Sequence, residues 1–220
     1  MAVKERLESL YAELPPEIAL VAVSKFHPSS AIREARAAGQ LDFAESRPQE
    51  LSAKAAELAD LKDLRWHFIG HLQTNKLKMV LPYAHLVQSV DSERLLDAIQ
   101  DWAAANSRTV SVLLEYHVAA EDSKQGFDEC GLELVLEKAA EGCYPGICFR
   151  GLMAMATNTD EETVVAEDFE RARRLFLRLS TMAGEDFDLL SMGMSGDWRI
   201  AVEAGSNMVR IGSYIFGERI

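Results

Sequence analysis

The sequence predicts a single closed (β/α)8 barrel of the TIM type, spanning residues 1–220 as one domain, with an extra helix ahead of the first strand. Three observations carry this. Short apolar runs alternate with longer amphipathic stretches along the whole chain, eight such runs can be counted, and no linker, repeat or low-complexity segment divides them. Strands separated by helices pair in parallel, because parallel neighbours need a crossover, and eight such units close into a barrel. The same alternation also permits an open doubly wound sheet, the second architecture considered.

The elements follow in order. Residues 2–13 form the leading helix. The first strand is IALVAVS at 18–24. A helix over 28–38 opens at His-Pro-Ser-Ser and stops at Gly39, where a glycine frees the chain to leave the helix. LDFA at 41–44 is the second strand, followed by apolar spacing near 3.6 over 46–59. WHFIG at 66–70 is the third, with a shorter helix candidate at 71–79. HLVQSV at 85–90 precedes a helix at 91–105, and TVSVLLEYH at 109–117 precedes one at 127–141. ICFRGLMAM at 147–155 leads to a helix at 161–182, and FDLLSM at 187–192 to one at 195–204. NMVRIG at 207–212 is the eighth strand, and a short helix at 213–219 closes the chain.

Hydrophobic residues make up 48% and charged residues 26%, the balance of a globular protein with a substantial core. The net charge is −12, from 23 basic and 35 acidic residues. That balance, without any basic run, argues against nucleic-acid binding. The one basic cluster, Arg171, Arg173, Arg174 and Arg178, follows the acidic stretch from Asp160 to Glu170, as the macrodipole of a solvated helix favours. No signal-peptide core follows the charged first residues and no apolar run would span a bilayer, so a soluble cytoplasmic protein is expected. The three cysteines lack CxxC spacing, which argues against a zinc site or a disulfide framework.

In such a barrel chemistry sits at the carboxyl ends of the strands. Lys25 directly follows an apolar run; it is either a strand terminator or a partly desolvated amine, nucleophilic toward aldehydes. Arg210 lies between Val209 and Ile211, so it faces the barrel interior if they face the helices. There it pairs with Glu115 or another inward carboxylate, or it bonds a ligand. The loops after strands seven and eight read SMGMSGDW and RIGSYIFG. Ser195 and Ser213 in these loops are either ordinary helix caps or, with Gly212 letting a backbone come close, the parts of a phosphate site.

The segments VAVSKFHP, FAESRPQE, WHFIGHLQTNK, SVDS, EDSKQGF, GLMAMA, LSMGMSGDW and VRIGSYIFGER resemble, in order, the YggS/PROSC family of pyridoxal phosphate (PLP) homeostasis proteins. The resemblance runs from about Leu20 to the last residue. It implies a barrel similar to the N-terminal domain of bacterial alanine racemase, with PLP as cofactor. By resemblance, Lys25 forms a Schiff base with PLP, Ser195, Gly212 and Ser213 hold its phosphate, and Arg210 meets the pyridine nitrogen. Ser46 and His71 match positions near the cofactor, His71 alternatively orienting the HLQTNK loop, and His117 and Lys124 fall at the mouth. The chain departs from the family pattern where FGEN reads FAES, with Ala44 for glycine and the shorter Ser46 for asparagine, and where Ser213 replaces a threonine.

Two function classes follow. The first is a non-catalytic carrier that buffers PLP and delivers it, with PLP-dependent apo-enzymes as recipients, acting as a monomer and touching neither nucleic acid nor membrane. The second is a small PLP-dependent amino-acid racemase. An arginine at the ring nitrogen favours its unprotonated form and weakens the ring as an electron sink. Racemisation also needs a second base opposite the lysine, which alanine racemase takes from a further domain that is not expected here. An aldolase-like enzyme using a Lys25 imine is a third possibility.

Overall fold

A computed structural model describes residues 2–119 and 125–217. Eight parallel strands close into a barrel in sequence order, β8 pairing back onto β1. They are β1 (Ala19–Val23), β2 (Asp42–Glu45), β3 (Arg65–Phe68), β4 (Ala84–Val90), β5 (Val110–Tyr116), β6 (Ile147–Ala154), β7 (Leu189–Ser191) and β8 (Met208–Ile211). The helices are α1 (Val3–Glu13), α2 (Ser29–Ala37), α3 (Pro48–Glu57), α4 (Leu77–Val80), α5 (Glu93–Asn106), α6 (Glu129–Ala140), α7 (Glu162–Ala183), α8 (Trp198–Glu203) and α9 (Ser213–Phe216). The closed barrel replaces the open-sheet alternative.

Local chemistry sets several boundaries. Pro48 opens α3 at a position whose N–H has no helical partner. Asp128 caps α6, its carboxylate accepting from Gly131 N at 2.7 Å. In α7, Val165, Phe169, Ala172, Phe176 and Leu179 recur at helical spacing and are buried as one stripe against the barrel. Two expected helices differ. The stretch 71–79 divides into a 3-10 turn (Thr74–Lys76) and α4. The helix expected at 195–204 starts only at Trp198, because Asp197 turns back to accept from Met194 N at 2.5 Å. Residues 218 and 219 of the expected closing helix lie outside the described residues.

Side chains alternate across the sheet, as strand geometry requires. Ala22, Phe43, Phe68, Val209 and Ile211 join the large apolar layer under the helices. Val21, Val23, Leu86, Leu113, Met153 and Met208 form a separate apolar cluster inside the barrel. The interior is not wholly apolar: His67, Gln88, Ser191 and Arg210 are buried there too. β7 is short and pairs with β8 at a single register, Ser191 with Met208. Side chains stitch this seam. Ser206 Oγ reaches Leu190 O at 3.0 Å and Met192 O at 2.9 Å, and Leu190 N donates to Asn207 Oδ1 at 2.7 Å.

Candidate functional site

A cavity of about 330 Å³ opens at the carboxyl ends of the strands, within the range of small-molecule sites. Lys25, Ser195, Arg210, Gly212 and Ser213, five of the seven residues singled out in the sequence, line it together. His27, Ile69, Met155 and Met194 add to its walls.

Lys25 stands on a turn that a buried polar cluster holds in place. Lys54 Nζ of α3 donates to Ser24 O at 2.8 Å, Glu45 Oε1 at 2.7 Å and Glu50 Oε1 at 2.8 Å. Ser24 Oγ donates to the same Glu45 oxygen at 2.6 Å, and Phe26 N donates to Glu50 Oε1 at 2.7 Å. Phe26 takes a left-handed φ of 68°, a conformation that costs a bulky residue energy and that these bonds offset. Glu45 therefore serves the helix side of the strand and not the cavity. Burial pushes its carboxyl pKa up, and its Oε2 has no hydrogen-bond partner. His27 stacks on Phe216 at 5.2 Å, and burial, then the charge of Lys54, holds its pKa below the ordinary histidine range.

Arg210 points into the barrel from β8 and is 4% exposed. No carboxylate is ion-paired with it among the described residues. Its Nη1 donates to Ser191 Oγ at 2.6 Å and Ser191 O at 2.8 Å, and its Nη2 to Ala154 O at 3.2 Å. Burial pushes its pKa down to about 10, so the guanidinium stays charged at neutral pH. The Glu115 pairing raised from the sequence is not formed. That carboxyl lies further round the mouth, pushed up to about 7 by burial and then by Asp91.

The loops after β7 and β8 meet at Ser195, whose Oγ accepts from Gly212 N at 3.3 Å. Neither serine is a helix cap: Asp197 precedes α8, and Gly212 precedes α9 with Ser213 as its first residue. Gly193 carries the first loop with φ of 93° and presents its carbonyl to Arg210 N at 2.9 Å. A Cβ on Gly212 would lie 3.0 Å from Val23 O, a tight contact that would push the two backbones slightly apart.

Ser46 and His71 do not join this lining. Ser46 is partly buried beyond the end of β2. His71 is half-exposed, its Nδ1 3.0 Å from Asp91 Oδ2 in a neighbouring polar hollow. His117 lies beside Gly126 and Phe127 in another hollow, and Lys124 lies outside the described residues. No tyrosine among the described residues lines the cavity as a second base opposite Lys25. Tyr116 donates to Glu129 on the helix side, Tyr214 lies 3.4 Å from Ser9 Oγ, and Tyr83 is exposed. Among the described residues no group of three or more His, Cys, Asp or Glu could hold a metal, and no helix is long and apolar enough to cross a membrane. Sequence reasoning missed His27 and the polar residues inside the barrel beneath Arg210. His67 carried the signal that revealed Arg210, a polar residue flanked by apolar ones within a strand, whereas Gln88 lies beside Ser89 and lacks it.

Comparison with known proteins agrees with this fold. The family model described as alanine racemase, N-terminal domain, matches residues 1–220. The pyridoxal phosphate homeostasis protein of Pseudomonas aeruginosa is 39% identical over 205 residues, covering 93% of this chain and 86% of that one. Its namesake in Escherichia coli K12 is 37% identical over 209 residues, covering 93% and 87%. PipY of Synechococcus elongatus PCC7942, solved without PLP, superposes with a TM-score of 0.92 at 38% identity over 98% of this chain and 100% of that one. The same protein with PLP bound gives 0.89. Alanine racemase from Corynebacterium glutamicum, at 18% identity and a TM-score of 0.75, covers 99% of this chain and 60% of its own and shares the fold.

Proposed function

The chain belongs to the alanine racemase N-terminal domain family and within it to the pyridoxal phosphate homeostasis proteins; from that premise we propose that it binds pyridoxal 5′-phosphate through Lys25 and buffers and delivers it in the cytoplasm. One observation carries the reading. Lys25, Arg210, Ser195, Gly212 and Ser213 converge on one cavity, where Lys25, His27 and Arg210 are the only titratable side chains among the described lining residues.

The donor set suits this cofactor. Lys25 offers an amine to an aldehyde. Arg210 spends three of its five N–H groups on Ser191 and Ala154, which leaves donors for a ring nitrogen. The hydroxyls of Ser195 and Ser213 and the close backbone at Gly212 suit a phosphate. No contact is proposed for Ser46 or His71. When bound, the cofactor supplies a conjugated ring that can accept electrons from a substrate carbon.

The protein's own residues restrain that chemistry. Arg210 is charged and can only donate, so it favours a ring nitrogen without a proton and a weak electron sink. Among the described residues no tyrosine lines the cavity across from Lys25 as a second base. Both features favour holding and releasing the cofactor over turning over amino acids. We propose a monomer whose recipients are PLP-dependent apo-enzymes. The racemase reading ranks second, supported by the shared fold.

Purified protein given PLP is expected to turn yellow. Borohydride should then fix a pyridoxyl mass on the peptide carrying Lys25, and Lys25→Ala should abolish it. An adduct on another lysine, or none, overturns the assignment. Substantial D-alanine formed from L-alanine would promote the racemase reading.

A further inference from the structure

Beneath the cavity a single file of buried polar side chains crosses the barrel, from β8 to the amino-terminal end of β2. Arg210 Nη1 donates to Ser191 Oγ at 2.6 Å. Ser191 Oγ donates to Gln88 Oε1 at 2.7 Å. Gln88 Nε2 donates to His67 Nδ1 at 2.8 Å, and His67 Nε2 donates to Asp42 Oδ1 at 3.0 Å. Asp42 is ion-paired to Arg65 at the rim. Ser191 and Gln88 are fully buried and His67 is 2% exposed, so water does not substitute for these partners.

The direction of every bond is fixed from both ends. Arginine cannot accept, so Ser191 Oγ accepts from it and sends its one proton to Gln88 Oε1. That orients the Gln88 amide with its NH₂ toward His67, whose Nδ1 must then be unprotonated. From the far end, the ionised Asp42 carboxylate can only accept, which places the His67 proton on Nε2. Both ends require the same tautomer, so the chain is free of conflict. Reversing any one member would leave two donors or two acceptors facing each other in the interior.

We propose that Asp42, His67, Gln88 and Ser191 are positioning residues that fix the orientation of the Arg210 guanidinium facing the cavity, through the hydroxyl of Ser191 that the file holds in one direction. This rests on the cofactor reading above only for its effect on a bound ligand; the locking itself belongs to the protein alone.

The test has two arms. In ¹⁵N-labelled cofactor-free protein, the His67 ring should carry its proton on Nε2 with Nδ1 bare, and the Arg210 Nη protons should exchange slowly by rotation. Gln88→Met should leave the protein folded but release the Ser191 hydroxyl from its fixed direction, which weakens its bond to Arg210 and speeds rotational exchange of the Nη protons, while the bonds to Ser191 O and Ala154 O remain. In the PLP-loaded protein, Gln88→Met and Ser191→Ala should each shift the absorbance of the bound cofactor. Each should also speed its release about 3- to 10-fold, the worth of one hydrogen bond. Gln88→Glu keeps an acceptor for Ser191 and should restore near-native release while His67 becomes doubly protonated, a signature that loss of packing does not produce. A wild-type His67 protonated on Nδ1 overturns the proposal. So does a folded Gln88→Met protein with unchanged Arg210 signals and unchanged release. If PLP is not taken up at all, the Lys25 reading fails, and the cofactor-free arm still decides this one.

Discussion

Glu115 is the residue most exposed to consequence by its placement. It points inward from β5, is 8% exposed, and lies within the fields of Asp91 and Arg210. Burial comes first among the causes that raise its pKa from 4.5 to about 7. A carboxyl whose folded value exceeds its unfolded value binds its proton more tightly in the native state. Its ionisation is therefore unfavourable to the fold, and stability should fall as pH rises from about 4.5 through about 7. Glu115→Gln should flatten that slope and leave the variant more stable at pH about 8, by on the order of 1–3 kcal/mol. Urea denaturation on either side of neutrality measures this; parallel slopes for variant and wild type would show that Glu115 does not titrate as placed. At this scale the sequence was legible where a polar residue interrupted an apolar run. Arg210 was found that way, and Lys25 because it follows the end of such a run. His67 obeys the same pattern and Gln88, followed by Ser89, does not, and the partners of both lie on other strands, so their purpose becomes visible only when the barrel closes.

The element that matters most to the site is the β1–α2 turn, and α3 builds it. Lys54 is the cation that Ser24 O, Glu45 and Glu50 share, and its side chain is 8% exposed. Lys54→Met would leave Glu45 buried beside Glu50 without a counter-charge. Removing one partner of a buried pair costs about 3–5 kcal/mol, and that loss is expected in the unfolding free energy. The same variant should weaken PLP retention, because Phe26 N loses its oriented acceptor and the turn under Lys25 relaxes; retention equal to wild type would separate the cluster from the site. All eight strands and the order of helices could be read from periodicity, since each apolar run is bounded by a turn and each helix buries one stripe. The start of α8 could not. Periodicity sees Ser195 as a plausible cap, whereas Asp197 competes for the turn by capturing Met194 N. The short β7 likewise depends on the side chains of Ser206 and Asn207, which no strand pattern encodes.

At the scale of the whole molecule, the barrel separates two tasks. The helix-facing layer supplies most of the apolar burial that stabilises the fold, and the interior shares its space between a smaller apolar cluster and polar groups that cost energy to bury and specify one arrangement. The fold class was legible because closure follows from counting parallel units. What the count could not supply was which inward polar residues would meet, a property of strand stagger.

The cavity lined by Lys25 and Arg210 sits in a chain of net charge −12, and this bears on how fast an anion arrives. At about 0.01 M salt the screening length is about 30 Å, so an approaching phosphate feels the whole acidic molecule. At about 0.15 M it is about 8 Å, and only the local cations count. Association of PLP should therefore quicken as salt is added over this range, the reverse of ordinary electrostatic steering. Stopped-flow absorbance reads it directly; a rate that falls with salt would mean that the local field already dominates at a distance.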